Sequence, residues 1–129
     1  MKIPYSRERT PPIPVLKARI FSPLKNEYAE LTLHVDTGFD GGVLIPFDLY
    51  EELKLTLVEE PYPARGVFPS GLAIELYVAV TDVEINGLRL TAHVYSSPLI
   101  LKKLAGREIL NKLILTLNGP KEELELLIP

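Results

Sequence analysis

Cysteine is absent from the 129-residue sequence, and histidine and aspartate are scarce, with two and four copies. The lack of cysteine excludes disulfides, thiolate nucleophiles and cysteine-based metal sites. With two histidines, a histidine-rich metal centre is unfavourable. The glycine-containing segments match neither G-x-x-x-x-G-K-[ST] nor G-x-G-x-x-G, so nothing supports nucleotide binding. We therefore expect a protein without metal or cofactor.

An excess of positive charge is also missing. The chain has 14 Lys and Arg against 17 Asp and Glu, a net charge of −3, with the signs interspersed. Nucleic acids and anionic membranes need a basic face, so neither is expected as a partner. Residues 1–9 lack the apolar core of a secretory signal, and no stretch approaches the length that crosses a bilayer. These features predict a cytoplasmic protein.

Residues that degrade on heating are rare. The sequence has no Gln, one Met and four Asn, whereas Glu outnumbers Asp 13 to 4 and Pro occurs 12 times. Few thermolabile side chains and proline-stiffened loops are features of thermophilic proteins. The composition therefore indicates a thermophilic source.

Short apolar runs alternate with turn signals along most of the chain, which is the rhythm of an all-β protein. Residues 1–12 are polar and contain prolines, so we predict a loose arm before a single domain at residues 13–129. Turns are expected at residues 22–27, 69–71, 86–87 and 118–120, and short helices at residues 47–53 and 107–113. Strands are expected at residues 13–21, 28–35, 43–45, 55–68, 72–85, 88–95, 113–117 and 123–128. This pattern predicts a small closed β-barrel with one or two short helices.

One predicted strand delivers a carboxylate into a glycine-containing loop. Residues 28–35 alternate so that Leu31, Leu33 and Val35 share one face, and Asp36 follows on the other face. A tight loop with three glycines, residues 36–42, then leads into a short apolar strand. Competing catalytic groups are weak, because neither histidine sits in a nucleophile motif and Ser70 is most simply a turn residue.

This segment resembles the retropepsin-like family of single-lobe, retroviral-type aspartic proteases. Residues 36–46 read DTGFDGGVLIP, which is similar to the pattern D-T-G-F-x-G-x-L-x-x-P of archaeal and bacterial members. A second segment supports the resemblance: residues 104–110 read LAGREIL, and residues 115–118 read LTLN. The family has an apolar pair, a glycine and a short helix there, followed by a strand with Thr-Leu-Asn. Together the two segments imply a retropepsin-like barrel over residues 13–118.

The resemblance also assigns roles to individual residues. It implies that Asp36, Thr37 and Gly38 form the catalytic loop, in which the Thr37 hydroxyl reaches across a two-fold axis. It implies that Asp40 binds substrate main-chain amides and pairs with Arg107, which follows Gly106, either within one chain or across the dimer interface. The hairpin of residues 62–76 would be the flap. The residues expected to contact substrate are Phe39, Asp40, Val67, Phe68, Pro69, Ser70 and Gly71.

The chemistry of this family needs two carboxyl groups, one ionised and one protonated. The chain has one Asp-Thr-Gly, and its other aspartates, Asp40, Asp48 and Asp82, are unsuited as a symmetric partner. The second carboxyl must come from a second copy, so the predicted function is a homodimeric aspartic endopeptidase acting on peptides or proteins. Two alternatives remain open. One is a catalytically weak or inactive dimerisation or peptide-binding module with this fold, and the other is a small structural β-barrel.

Overall fold

The computed structural model describes residues 1–24 and 27–129. Within them the chain forms ten β-strands, two short α-helices and one 3-10 helix, Leu55–Val58. The strands are β1 Lys2–Pro4, β2 Val15–Phe21, β3 Tyr28–Val35, β4 Val43–Leu44, β5 Ala64–Val67, β6 Ala73–Ile85, β7 Leu88–Ser96, β8 Leu104–Ala105, β9 Ile114–Asn118 and β10 Glu123–Leu127. The helices are α1 Phe47–Glu52 and α2 Arg107–Leu110. None of the described helices is both long and apolar enough to cross a membrane.

The larger sheet closes on itself. Its seven strands run in the order β2-β3-β8-β4-β7-β6-β5, and β2 also pairs with β6. Six strands therefore form a ring, with β5 added to the outer part of β6. The β3–β8 and β4–β7 pairs are parallel, and the other pairs of this sheet are antiparallel. The predicted all-β barrel with two short helices is confirmed.

Alternating side chains fill the inside of the ring. In β2, Leu16, Ala18 and Ile20 are buried, whereas Lys17 between them is exposed. Strands with this period present one face to the core and the other to solvent. The same core contains Leu33, Val43, Ile45, Val83, Val94 and the side chains of Leu124 and Leu126 from the second sheet.

The second sheet has three strands in the order β1-β10-β9. Here the prediction of a loose N-terminal arm is wrong for its first residues, because Lys2–Pro4 pair with Glu123–Glu125 of β10. Ile3 is buried against the core, and the Met1 ammonium donates a hydrogen bond to the Leu126 carbonyl (3.0 Å). A single apolar side chain, flanked by polar residues and prolines, gave too little pattern to reveal a strand.

Two predicted element boundaries need correction. Residues 55–68 were expected as one strand, but they begin as the 3-10 helix and become a strand only at Ala64–Val67. Leu55 turns inward and is fully buried, while Pro61 and Pro63 lack the amide hydrogens that a continuous ladder requires. Helix α2 is also shorter than the predicted residues 107–113, ending at Leu110.

Two hairpins follow the predicted turns. Asn86 and Gly87 link β6 to β7 with φ angles of 49° and 82°, the left-handed conformations of a type I′ turn. The β5–β6 hairpin turns over residues 68–72, where the Phe68 amide donates to the Leu72 carbonyl (2.8 Å). For the turn predicted at residues 22–27, residues 25 and 26 lie outside the described residues.

Candidate active site

Asp36 follows the last residue of β3 and is half-exposed. Its amide donates to the Ala105 carbonyl (3.0 Å), which continues the pairing of β3 with β8. Its carboxylate oxygen Oδ1 accepts a hydrogen bond from the Gly38 amide (2.9 Å). Within the described part of the chain, the other oxygen, Oδ2, has no hydrogen-bond partner. The loop thus orients the carboxylate and leaves one oxygen for an outside group.

Residues at the start of α2 hold the Asp36 loop in place with three hydrogen bonds. The Arg107 amide donates to the Phe39 carbonyl (2.8 Å), and its Nη1 donates to the Thr37 carbonyl (2.6 Å). The Gly106 amide donates to the Gly42 carbonyl (2.8 Å). Since these bonds run to both halves of the loop, the two sequence segments that carry the family resemblance form one unit.

Within one chain, the described residues form no ion pair between Arg107 and Asp40, and a pair across the dimer interface stays a prediction. Arg107 instead directs its guanidinium to the Thr37 carbonyl. Asp40 is exposed, and its charge acts on the nearby hydroxyl of Tyr95.

Glycines make room for the Phe39 ring. A Cβ on Gly106 would overlap the Gly41 carbonyl oxygen and lie 2.6 Å from Phe39 Cδ2, and one on Gly41 would overlap the Tyr95 ring. Phe39 packs edge-on to Tyr95, with ring centroids 5.6 Å apart. A bulky residue after Asp-Thr-Gly is therefore accommodated by the two glycines around it.

The β5–β6 hairpin closes over this aromatic pair. Phe68 and Ile74 from the hairpin join Phe39 and Tyr95 around a small apolar cluster of Leu44, Leu76 and Ile100. A cavity of about 130 Å³ lies between hairpin and floor. It is lined by Phe39, Leu44, Gly66, Val67, Phe68, Ile74, Leu76 and Ile100. The turn residues Pro69, Ser70 and Gly71 are exposed beyond it.

The chain is similar to the solved structure of EIAV protease complexed with the inhibitor HBY-793, with a TM-score of 0.58. The two share 19% sequence identity, and the match covers 84% of this chain and 92% of that chain. The chain has a retropepsin-like fold. No protein-family model and no curated protein matches it.

One feature of this retropepsin-like fold was missed from the sequence. Glu108 on α2 turns toward β7, where its Oε1 accepts the His93 amide and its Oε2 contacts His93 Nδ1, both at 2.8 Å. A Cβ on Gly42 would lie 2.5 Å from the His93 carbonyl oxygen, a backbone atom, and 2.6 Å from Glu108 Oε1, so a glycine is required at this position. Glu108 immediately follows Arg107, but its partner His93 is 15 residues away in sequence, so no local sequence pattern predicts their contact.

Two tyrosine hydroxyls of the barrel have raised pKa values. Burial, followed by the negative charges of Glu108, Asp40 and Glu60, raises the pKa of Tyr95. Burial also raises the pKa of Tyr50, whose hydroxyl donates to Glu59 (2.9 Å). Within residues 1–24 and 27–129, no group of three or more His, Asp or Glu side chains is arranged to hold a metal ion.

Proposed function

We propose that the chain is an aspartic endopeptidase that works as a homodimer. The observation that carries this proposal is the oriented Asp36 carboxylate, held in a loop that is cross-braced by α2. Residues 36–46 resemble the archaeal and bacterial pattern of the family, and we infer a relationship to those members. The fold alone does not assign activity, so the proposal depends on this site.

In the proposed mechanism, the two Asp36 carboxyls of a dimer lie side by side. Two carboxylates this close cannot both be ionised, so the pair shares one proton. The ionised group accepts a proton from water, which attacks the peptide carbonyl while the protonated group donates to the carbonyl oxygen. The tetrahedral diol then collapses: the carboxyl that took the proton from water gives it to the peptide nitrogen, the C–N bond breaks, and the other carboxyl regains its proton from a diol hydroxyl as the new carboxyl and amine ends leave. Thr37 contributes a hydroxyl at the two-fold axis, and Gly38 keeps Asp36 oriented through its amide.

An extended peptide is the proposed substrate. Such a peptide would add a strand between the hairpin and the loop floor, with Asp40 next to its main-chain amides. The cavity of about 130 Å³ between Phe39 and Phe68 has an apolar lining, which supports an aliphatic side chain of the peptide as its occupant. A cavity of roughly 150 Å³ accommodates benzene, so larger aromatic side chains are disfavoured here.

For the second copy we propose that the contact is the outer edge of β9, which pairs with no other strand of the described residues. The central strand β10 has both of its edges occupied, by β1 and β9. The β1 edge carries Lys2 and Pro4, a charge and a proline that disfavour pairing with another strand. The sequence of β9, ILTLN, has neither, and its Leu117 is 54% exposed. Two copies of β9 paired antiparallel about Thr116 would place Leu117 opposite Leu115 of the other copy.

A cysteine introduced at Thr116 should report this contact. Because the chain has no cysteine, Thr116→Cys provides one thiol per subunit, and two such residues paired across a two-fold axis lie within disulfide reach. Oxidation is expected to give a covalent dimer. Lys2→Cys, on the opposite edge of the same sheet, should stay monomeric on a denaturing non-reducing gel. Cross-linking through Lys2→Cys but not Thr116→Cys would move the dimer contact to β1.

The dependence of activity on dilution tests the function itself. Cleavage of a mixture of unstructured peptides, followed by mass spectrometry, should be fastest in acidic to near-neutral buffer. Its specific activity should fall as the protein is diluted below the dissociation constant of the dimer measured by sedimentation. Peptide binding without cleavage across that pH range would favour the inactive peptide-binding module. A strict monomer at micromolar concentration would favour the structural barrel.

A further inference from the structure

The imidazole of His93 lies between two carboxylates that come from different parts of the fold. Its Nδ1 is 2.8 Å from Glu108 Oε2, and its Nε2 is 3.8 Å from Glu60 Oε1. The three side chains are partly exposed, at 41% for His93, 33% for Glu108 and 43% for Glu60. The ring is therefore in contact with solvent protons while both of its nitrogens face acidic groups.

The two carboxylates are attached to the two parts of the candidate site. Glu108 belongs to α2, and its amide donates to the Gly41 carbonyl in the catalytic loop (3.2 Å). Glu60 lies directly before the hairpin, and its amide donates to the Val78 carbonyl of β6 (2.7 Å). His93 thus spans the gap between the base of the hairpin and the helix that braces the loop.

The protonation state of His93 decides whether this span is closed. A neutral imidazole can donate from Nδ1 to Glu108, but its Nε2 then presents a lone pair toward the negative Glu60. A protonated imidazole donates from both nitrogens and attracts both carboxylates. Two further groups lie near the ring, and neither opposes protonation of His93. The Tyr95 ring centroid is 6.3 Å away, and its hydroxyl stays neutral because its pKa is raised. Asp40, which acts on the Tyr95 hydroxyl, carries a negative charge and so also favours a positive imidazole.

We propose that His93 is a proton-dependent clamp that joins the base of the β5–β6 hairpin to the helix under the Asp36 loop. In acid, protonated His93 holds Glu60 and Glu108 together and restrains the hairpin. As the pH rises, the contact to Glu60 is released while the contact to Glu108 persists. The clamp is a property of the fold, and only its effect on peptide cleavage rests on the proposed function.

Amide hydrogen exchange tests the clamp without any requirement for activity. We expect exchange protection of the Glu60 amide, which donates to the Val78 carbonyl, to be about two- to fivefold higher near pH 5.5 than near pH 7.5 after correction for intrinsic rates, the size of one partly exposed ion pair. His93→Gln and Glu60→Gln should each remove this difference. Glu75→Gln, a neighbouring carboxylate on the hairpin, is the matched control and should retain it.

Two outcomes would overturn the clamp. One is equal protection at both pH values in the unmodified protein, and the other is a pH difference that persists in Glu60→Gln. If the unmodified protein cleaves peptide, its KM should change across the same pH range and should not do so in Glu60→Gln. If the protein cleaves nothing, the endopeptidase proposal fails, while the exchange experiment still decides the clamp.

Discussion

Asp36→Asn should abolish peptide cleavage, with kcat/KM reduced by about 10²- to 10⁴-fold or more, while fold and dimer persist. The amide has the shape of the carboxylate, and its oxygen can still accept the Gly38 amide that now donates to Asp36 Oδ1. The asparagine amide cannot bind and release the shared proton as a carboxyl group does at neutral or acidic pH. Cleavage assays should therefore show the loss, and melting temperature and sedimentation should be unchanged.

Mixing the two proteins separates a shared active site from a site within one chain. If unmodified and Asp36→Asn chains exchange at random, equal amounts leave about one quarter of the dimers with two aspartates. Activity from a fixed amount of unmodified chain should then fall to about half. Asp48→Asn, on the exposed face of α1, is the control and should retain full activity. An unchanged rate on mixing would show that a single chain is sufficient.

The part of the site that sequence reasoning predicted well is the part encoded by local pattern. The alternation of residues 28–35 delivers Asp36 at a strand end, as predicted, and Asn86-Gly87 forms its predicted turn. The family resemblance linked residues 36–46 to residues 104–110, and the hydrogen bonds from Arg107 to the loop join them. Both signals depend on short stretches whose backbone requirements can be read without knowing the rest of the fold.

The features that sequence analysis missed depend on contacts between residues that are distant in sequence. β1 is a strand because β10, more than 100 residues later, offers it an edge. The two-residue strands β4 and β8 pair with each other and with β7 and β3, and their length leaves too little periodicity to detect β8. Within the chain, the Arg107 guanidinium donates to the Thr37 carbonyl rather than to Asp40, and residue type alone does not determine this partner. The contact between Glu108 and His93 likewise depends on how α2 packs against β7, which neither residue's local sequence predicts.

Gly106→Ala should be the most damaging single methyl addition at this site. Its Cβ would overlap the Gly41 carbonyl oxygen and lie 2.7 Å from the Phe39 carbonyl oxygen, and both are backbone atoms that no rotamer change can move. Relieving the overlap requires separating α2 from the loop, which loosens the hydrogen bonds from Gly106 and Arg107. We expect the free energy of unfolding to fall by about 3 kcal/mol. This corresponds to a melting temperature roughly 10 °C lower.

Two further substitutions test whether the backbone, rather than the added volume, is responsible. Gly119→Ala should be neutral, since its Cβ meets no atom within 4 Å. Gly41→Ala meets the rings of Tyr95 and Phe39, so Phe39→Ala in the same chain should restore part of the lost stability. The same Phe39→Ala should not rescue Gly106→Ala, because the two carbonyl oxygens remain in place. Rescue of Gly106→Ala by Phe39→Ala would contradict this prediction. It would mean that the Phe39 ring, and not the close packing of α2 against the loop backbone, is the reason that position 106 needs a glycine.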